Sequence, residues 1–387
     1  MIIITEKEFC SGCMACFNAC KQNCINMNLD EEGFWYPEVD KRHCIDCGVC
    51  EKICPIIHKR RYDESRSTTA FAAINNDEEI RLKSSSGGMF TLIAETILDQ
   101  GGVVFGAAFD ESFKSVHHIC VDNKTDLDKL RGSKYVQSKI EDTYLITKKL
   151  LDRGRKVLFT GTPCQIGGLY SYLKKSYDNL YTQDIICHGV PSPMVWERYV
   201  DERERKAESK TQRMFFRYKK YGWKTFAVLF EFANNTTYVK NLNEDSYMRA
   251  FLSNICLRPS CYDCSFKSVK RQADITLADF WGIKSVLPEM DDDKGTSLVM
   301  IHSDKGKHLI ECISDNFKCH DVDIGIIESL NPSVKKSVAV NSKREQFFRN
   351  IQKDSFEKTV FKYTKPNIYR RIRDLVGRIK NKIYKLF

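Results

Sequence analysis

Apolar residues recur along this chain with two periods, and the switches between them mark its elements. Ile25-Asn-Met-Asn-Leu29 and Phe34-Trp-Tyr-Pro-Glu-Val39 alternate in steps of two around Glu31-Glu-Gly33, which predicts a hairpin. Further on, Phe71–Ile74 reads as a strand, and Ser84-Ser-Ser-Gly-Gly88 leads into an apolar helix, Met89–Leu98. Val103–Phe109 and Val116–Val121 read as paired strands and Tyr144–Leu151 as a helix. Lys156–Thr160 is a short apolar strand that breaks at Gly161-Thr-Pro163 into another helix, and Tyr181–Cys187 is a strand ending at His188-Gly189. From 213 to 240 a period of two returns among Phe, Tyr, Val and Thr, which predicts an antiparallel patch. Strands at Asp274–Ala278 and Leu298–His302 follow, with helices near 306–315 and 341–354. This alternation predicts an α/β (α+β) class of fold.

One pattern is not apolar. Cys10, Cys13, Cys16 and Cys20 read C-x2-C-x2-C-x3-C, and Cys44, Cys47, Cys50 and Cys54 repeat it, with Pro55 after the last. Three thiolates two residues apart let a short loop wrap one cuboidal cluster, and the fourth enters a helix that points to the other cluster. The spacing therefore assigns Cys10, Cys13, Cys16 and Cys54 to one [4Fe–4S] cluster, and Cys44, Cys47, Cys50 and Cys20 to a second. Zinc is the competing metal, but it takes four ligands per site and favours paired C-x2-C hooks. The hairpin between the two loops completes a duplicated ferredoxin of bacterial type over residues 1–56. Residues 57–69 are polar and aperiodic, and read as a linker.

Composition changes the picture in two places. The chain has 17 cysteines, and its opening Met-Ile-Ile-Ile-Thr-Glu-Lys is too short and too quickly charged for a signal peptide. Thiols in such number without an export signal predict a reducing, cytoplasmic compartment, and no apolar run is long enough for a membrane span. The net charge of +10 is uneven: residues 365–387 supply +7 of it. The body is not a polycation, so no nucleic-acid surface is expected. In the tail, Ile368, Ile372, Leu375, Val376, Ile379, Ile383 and Leu386 recur at helical spacing among Arg and Lys. That predicts a basic amphipathic helix, which suits the inner face of a membrane, a partner, or its own domain. A membrane contact would admit a lipid-linked substrate.

Four more cysteines fall at strand ends and loop tips: Cys164 after Thr162-Pro163, Cys187 before His188, and Cys261 and Cys264 in Arg258-Pro-Ser-Cys-Tyr-Asp-Cys264. Such positions gather on one edge of an α/β sheet. Together they would hold a third metal site; the competing reading makes Cys164 and Cys187 small buried hydrophobes. Cys164 at a helix start also reads as a low-pKa nucleophile. Three loops look able to present backbone N–H groups to a phosphate: 84–88, 130–138 and 160–165. A plain N-cap turn competes at the first. Lys134 in the second is a residue for the N1–O2 edge of a flavin, or a solvated lysine. No G-x-G-x-x-G or Walker loop is present, so these loops alone predict no nucleotide.

Ser85-Ser-Gly-Gly88, Leu130-Arg-Gly-Ser-Lys-Tyr135, Phe159-Thr-Gly-Thr-Pro-Cys-Gln165, Asp184-Ile-Ile-Cys-His-Gly-Val-Pro-Ser192, Arg258–Cys264 and Asp274-Ile-Thr-Leu-Ala-Asp-Phe-Trp-Gly282 come in an order that resembles one family. It is the coenzyme F420 hydrogenase/dehydrogenase beta-subunit family, in its form with an N-terminal two-cluster ferredoxin. The resemblance implies FAD, and a third [4Fe–4S] cluster on Cys164, Cys187, Cys261 and Cys264. It makes Ser85, Ser86, Gly87, Gly88, Gly132, Ser133, Lys134, Tyr135, Gln137, Thr160, Gly161, Thr162 and Gln165 the expected flavin contacts. It divides the chain into residues 70–150 and 151–335 of the flavin-binding oxidoreductase domain, a helical extension over 336–364 and the tail. Lys21 and Cys24 depart from the ferredoxin pattern, where proline and a small apolar residue are usual. Clusters pass single electrons and nicotinamides or deazaflavins take hydride, so a flavin belongs between them. Lys134 would tune it and His188 would relay a proton. Asp279 and Trp281 are either substrate-facing or structural. The expected function is an oxidoreductase that passes electrons between ferredoxin, or a partner subunit, and an organic hydride acceptor or donor. The rival is a non-catalytic adaptor that delivers electrons to a partner enzyme.

Overall fold

One small core of the amino-terminal segment is built mainly of thiols: Cys16, Cys24 and Cys54 pack with Ile2 and Ile25. The computed structural model describes residues 1–58 and 67–364. The helix expected over 365–387 and most of the linker expected over 57–69 lie outside the described residues. The segment contains α1 (Ala15–Ala19), strands β1 (Ile25–Leu29) and β2 (Trp35–Val39), and α2 (Val49–Lys52). β1 and β2 form the expected antiparallel hairpin, Ile25 opposite Val39. The repeat in spacing is also a repeat in backbone. Gly12 and Asp46 occupy matching places in the two loops and both are left-handed (φ 69° and 49°), as are the matching Met14 and Gly48 (φ 58° and 69°). Each loop therefore curls back on itself before its short helix begins.

The body starts with β3 (Thr69–Asn75), α3 (Glu78–Lys83), α4 (Met89–Asp99), β4 (Val103–Phe109) and β5 (Val116–Val121). Then come α5 (Thr143–Asp152), β6 (Val157–Thr160), α6 (Pro163–Leu173), β7 (Leu180–Ile185) and α7 (Pro193–Ala207). Strands β8 (Thr211–Tyr218), β9 (Ala227–Phe232) and β10 (Thr237–Asn241) precede α8 (Ser246–Leu252). The chain continues through β11 (Ile275–Asp279), β12 (Ser297–Ile301), α9 (Asp304–Glu311), β13 (Phe317–Asp321) and α10 (Ile324–Leu330) to α11 (Arg344–Ile351) and α12 (Phe356–Thr364).

Eight strands form one mixed sheet in the order β13-β3-β12-β11-β7-β6-β4-β5. The central pairs β4–β6, β6–β7 and β7–β11 are parallel, and the flanking pairs antiparallel. Val157, Leu158 and Phe159 of β6 are all buried, as a strand covered on both faces requires. β8, β9 and β10 make the separate antiparallel sheet that the alternation at 213–240 predicts. The fold is a mixed α/β, α+β architecture behind a ferredoxin-like segment.

Several elements were not visible in the apolar pattern. α7 is dense in charge, yet Val195, Trp196, Tyr199 and Val200 form one buried face, and Ser192 caps it by accepting from Val195 N. α8, β13, α10 and α12 are short, and acquire their structure from what they pack on. The helix expected near 341–354 ends at Ile351, and α12 follows separately.

The ferredoxin-like segment is locked to the body by one buried guanidinium. Arg258 is fully buried. It donates to Cys10 O (2.7 Å), Trp35 O (3.0 Å) and Gln137 Oε1 (3.2 Å), and stacks over Tyr36 at 4.3 Å. Glu32 adds a two-pronged pair with Arg344, at 2.6 and 2.5 Å. The surfaces meet closely enough to need glycine. A Cβ on Gly12 would lie 2.5 Å from Gln137 Nε2, and one on Gly168 of α6 would lie 2.9 Å from Cys13 Cβ. Hydrogen bonds from a charged donor each contribute about 1.5–3 kcal/mol, and Arg258→Ala would also strand two buried carbonyls. The variant should lose at least about 3 kcal/mol of stability and release the amino-terminal segment to limited proteolysis. Wild-type melting and cleavage patterns would contradict this anchoring role.

Candidate functional site

Twelve cysteines fall into three groups. Cys10, Cys13 and Cys16 share one small cavity with Cys54. Burial, and then the neighbouring thiols Cys13, Cys10 and Cys54, push the Cys16 thiol well above its ordinary range. Burial likewise takes Cys13 to about 12. The left-handed loop thus brings three cysteines toward the fourth from the other repeat. Cys20, Cys44, Cys47 and Cys50 lie further out: Cys47 is exposed and the others half-buried. Ile2 N donates to Cys50 Sγ at 3.2 Å. Cys24 is a ninth, buried thiol with its sulfur 3.3 Å from that of Cys20, and it also feels Cys44.

The third group joins residues a hundred positions apart. Cys164 opens α6, Cys187 follows β7, and Cys261 and Cys264 lie on the loop after α8; all four border one cavity. The start of α6 is set by a capping box between Thr162 and Gln165, with Pro163 in the first turn. Burial, then Cys264 and the other two thiols, push Cys164 well above its ordinary value. That direction is opposite to the one a low-pKa nucleophile needs. Val190 N donates to Cys261 Sγ at 3.4 Å. Thiols gathered in fours, partly or fully buried, are a donor set suited to iron–sulfur ligation. Among the described residues, no three His, Cys, Asp or Glu side chains converge at the spacing of a single metal ion.

A separate, larger cavity of about 630 Å³ opens at the carboxyl ends of β6, β7 and β11, where α/β sheets bind ligands. Its volume suits a cofactor-sized molecule. Ser85, Ser86, Gly88, Gly132, Ser133, Lys134, Tyr135, Thr160, Gly161, Thr162 and Gln165 line it. Gly87 and Gln137 do not. Gly87 is pressed against β3, where a Cβ would lie 2.4 Å from Ala73 O, and Gln137 belongs to the Arg258 junction. The loops are tied together: Ser133 N donates to Ser85 Oγ at 2.7 Å. No side chain caps α4, whose N-cap is Gly88 at φ 89°, so the first-turn amides at the cavity wall have no side-chain acceptor. Lys134 is half-buried. Its Nζ donates to Lys129 O and Arg131 O, both at 2.9 Å, and burial, with the Arg131 charge, brings it down to about 7. His188 shares a 2.7 Å hydrogen bond with Asn254 Oδ1.

Two further residues of the cavity were not picked out from sequence. Arg217 donates to Asp279 Oδ1 (3.1 Å) and Ser85 O (3.3 Å); Asp279 also accepts from Trp223 Nε1 at 3.0 Å. Asp279 and Trp281 both border the cavity, and Trp281 lies flat on Trp223 at 4.9 Å. His118 sits on the inward pleat of β5, which is the signal a reading of that strand as alternating could have used. Its Nε2 meets Thr160 O and its Nδ1 meets Ser138 Oγ, each at 3.0 Å, and Gln165 Nε2 donates to the same hydroxyl at 2.9 Å. His118 therefore joins the 130–138 and 160–165 loops.

Four models of known domains match the chain. Residues 154–324 match the C terminus of the coenzyme F420 hydrogenase/dehydrogenase beta subunit, and 70–143 match its N-terminal counterpart. Residues 9–56 match a 4Fe-4S dicluster domain, and 39–85 a 4Fe-4S single cluster domain of ferredoxin I. An uncharacterized protein of Methanocaldococcus jannaschii is 28% identical over 209 residues, 46% of this chain. The match spans 56% of that relative's length. An uncharacterized ferredoxin of the same organism is 28% identical over 72 residues, 17% of this chain and 92% of its own. A solved chain of the F420-reducing [NiFe] hydrogenase complex from Methanosarcina barkeri superposes with a TM-score of 0.48 at 15% identity, covering 76% of this chain and 96% of that one. Fold, cysteine groups and dicluster segment define an iron–sulfur electron-transfer protein. The chain belongs to the coenzyme F420 hydrogenase/dehydrogenase beta-subunit family.

The loop junction at His118 has a pH signature. The ring is 3% exposed, and burial holds its pKa at about 4, below the ordinary 6.5. Between these values the unfolded chain binds the proton that the folded chain refuses. Stability from this group is complete above pH 6.5 and falls as the pH drops toward 4, by roughly 3 kcal/mol in all. Urea midpoints of wild type and His118→Gln, followed from pH 7.5 to 4.5, should diverge in slope, with the variant flatter. Parallel curves would contradict a buried neutral histidine.

Proposed function

We propose that this protein is an iron–sulfur flavoprotein oxidoreductase that moves electrons between a ferredoxin, or a redox partner subunit, and an organic hydride acceptor or donor. The observation that carries the reading is the continuity of its cavities. Ser11 and Ile56 border both the Cys10–Cys54 pocket and the pocket of Cys164, Cys187, Cys261 and Cys264. Residues 187–190 border both that pocket and the 630 Å³ cavity. The pocket of the first cysteine group, that of the third and the ligand-sized cavity thus share walls in that order.

In this reading Cys10, Cys13, Cys16 and Cys54 hold one [4Fe–4S] cluster, Cys20, Cys44, Cys47 and Cys50 a second, and Cys164, Cys187, Cys261 and Cys264 a third. Two of the sets each line a single pocket, which favours the reading. The large cavity would hold FAD, with the 84–88, 130–138 and 160–165 loops as its walls. When bound, a flavin exchanges single electrons on one side and hydride on the other. The chain's own residues supply the setting. The uncapped start of α4 and Ser133 offer donors to an anionic group. Lys134, poised near pH 7, gains and keeps its proton beside a negative charge. His188 stands where the third pocket meets the cavity, positioned by Asn254 to exchange a proton there. The family description names coenzyme F420, and a hydride carrier of that kind is the organic partner this reading admits. All 17 cysteines are free of disulfides, in keeping with a reducing, cytoplasmic setting.

Protein purified without oxygen should carry about twelve iron atoms, four for each of three cubanes, and one FAD per chain. Cys164→Ser and Cys264→Ser should each fall to about eight iron atoms. About eight in the wild type, with no flavin, would instead leave the protein an adaptor that hands electrons on.

A further inference from the structure

Beside the Cys164, Cys187, Cys261 and Cys264 pocket stands an arginine with no hydrogen bond to spend its donors on. The Arg271 side chain is 1% exposed, and its Nε, Nη1 and Nη2 are all buried without a hydrogen-bond partner. Other buried arginines behave differently. Arg203 and Arg217 leave one nitrogen each unpaired, and Arg258 bonds through all three of its nitrogens. The charge nearest Arg271 is Asp184, whose Oδ2 is 3.6 Å from Nη1, beyond hydrogen-bonding range. The other Asp184 oxygen is taken by the Thr276 hydroxyl.

A buried guanidinium with five unused N–H groups asks for an acceptor. Arg271 borders the four-cysteine pocket on one side and an open groove past Tyr170 and Lys305 on the other. It is part of the wall between thiols and solvent. Cys187, Lys267 and Arg271 line the same pocket. The Lys267 ammonium is committed to carbonyls, those of Cys187 and Ser333. It contributes field; Arg271 has both field and free donors.

We propose that Arg271 is a positioning residue of the third pocket, supplying positive charge and N–H donors to the anionic group that the four cysteines hold and raising its reduction potential. The inference rests on the reading that this group is an iron–sulfur cluster. Four thiolates give such a cluster a net negative charge, and reduction adds one more. A fixed cation and hydrogen bonds to sulfur favour the reduced form, which moves the potential upward.

The test uses full-length protein purified without oxygen: wild type, Cys164→Ser, Arg271→Gln and Arg271→Lys. Iron is counted, and each cluster is titrated by electron paramagnetic resonance, the third signal being the one that Cys164→Ser lacks. Arg271→Gln should either move the third midpoint negative, or lose about four iron atoms that Arg271→Lys keeps. Arg271→Lys should lie nearer the wild type, and the other two midpoints should stay in place. An unmoved or more positive third midpoint in Arg271→Gln would overturn the proposal, as would equal iron loss in both variants, which marks a merely structural role. A wild type with only about eight iron atoms would remove the third cluster itself, a failure distinct from an unshifted potential.

Discussion

The Arg258 guanidinium is the constraint on which the arrangement depends. It is fully buried and bonds at once to the first cysteine loop, through Cys10 O, and to the hairpin, through Trp35 O. It lies three positions before Cys261, on the loop that carries Cys261 and Cys264. One side chain therefore fixes the first cysteine group relative to the third. Gly12 and Gly168 remove the side chains that would hold the two surfaces apart. Such a charge is stable in the interior only because its donors are used, so the junction is specific as well as tight.

Burial then sorts the three groups. The outer one keeps Cys47 exposed, while Cys13, Cys16 and Cys54 are buried against the body. Buried thiols resist ionisation, and the third group adds like charges to that resistance. Charge placed nearby acts against it: Lys267 and Arg271 stand beside Cys187. The large cavity is controlled by loops rather than by one cluster of side chains. His118 and Ser138 tie two of them together, and Ser85 joins the third to Ser133. The cavity is thus a product of the same strand ends that carry Cys164 and Cys187.

Much of this was legible in the residues. The doubled C-x2-C-x2-C-x3-C spacing is local, and local geometry enforces it, so the grouping of Cys54 with Cys10, Cys13 and Cys16 follows from the spacing alone. The hairpin and the central strands announced themselves by period. The meeting of Cys164, Cys187, Cys261 and Cys264 was different, because it depends on where three distant strand and loop ends come together. Arg217 and Arg271 were invisible for a related reason: a charged residue in a sequence looks solvated until packing buries it. His118 lies in a strand whose alternation marks its inward face but not the distant groups that meet it there. α7 was hidden by its charges and α12 by its brevity; both are set by tertiary contacts such as the Glu357 bridge to Arg203 and Lys206.

The central claim is that the cysteine groups and the cavity form one electrical line. Anaerobic stopped-flow tests it directly: flavin-loaded protein is mixed with a dithionite-reduced ferredoxin, and flavin bleaching is followed in the wild type and in Cys264→Ser. A continuous line predicts fast bleaching in the wild type and a loss of at least tenfold in rate, about 1.4 kcal/mol of barrier, when the third group is broken. Equal rates in the two proteins, with the outer clusters reduced in both, would show that electrons reach the cavity by another route.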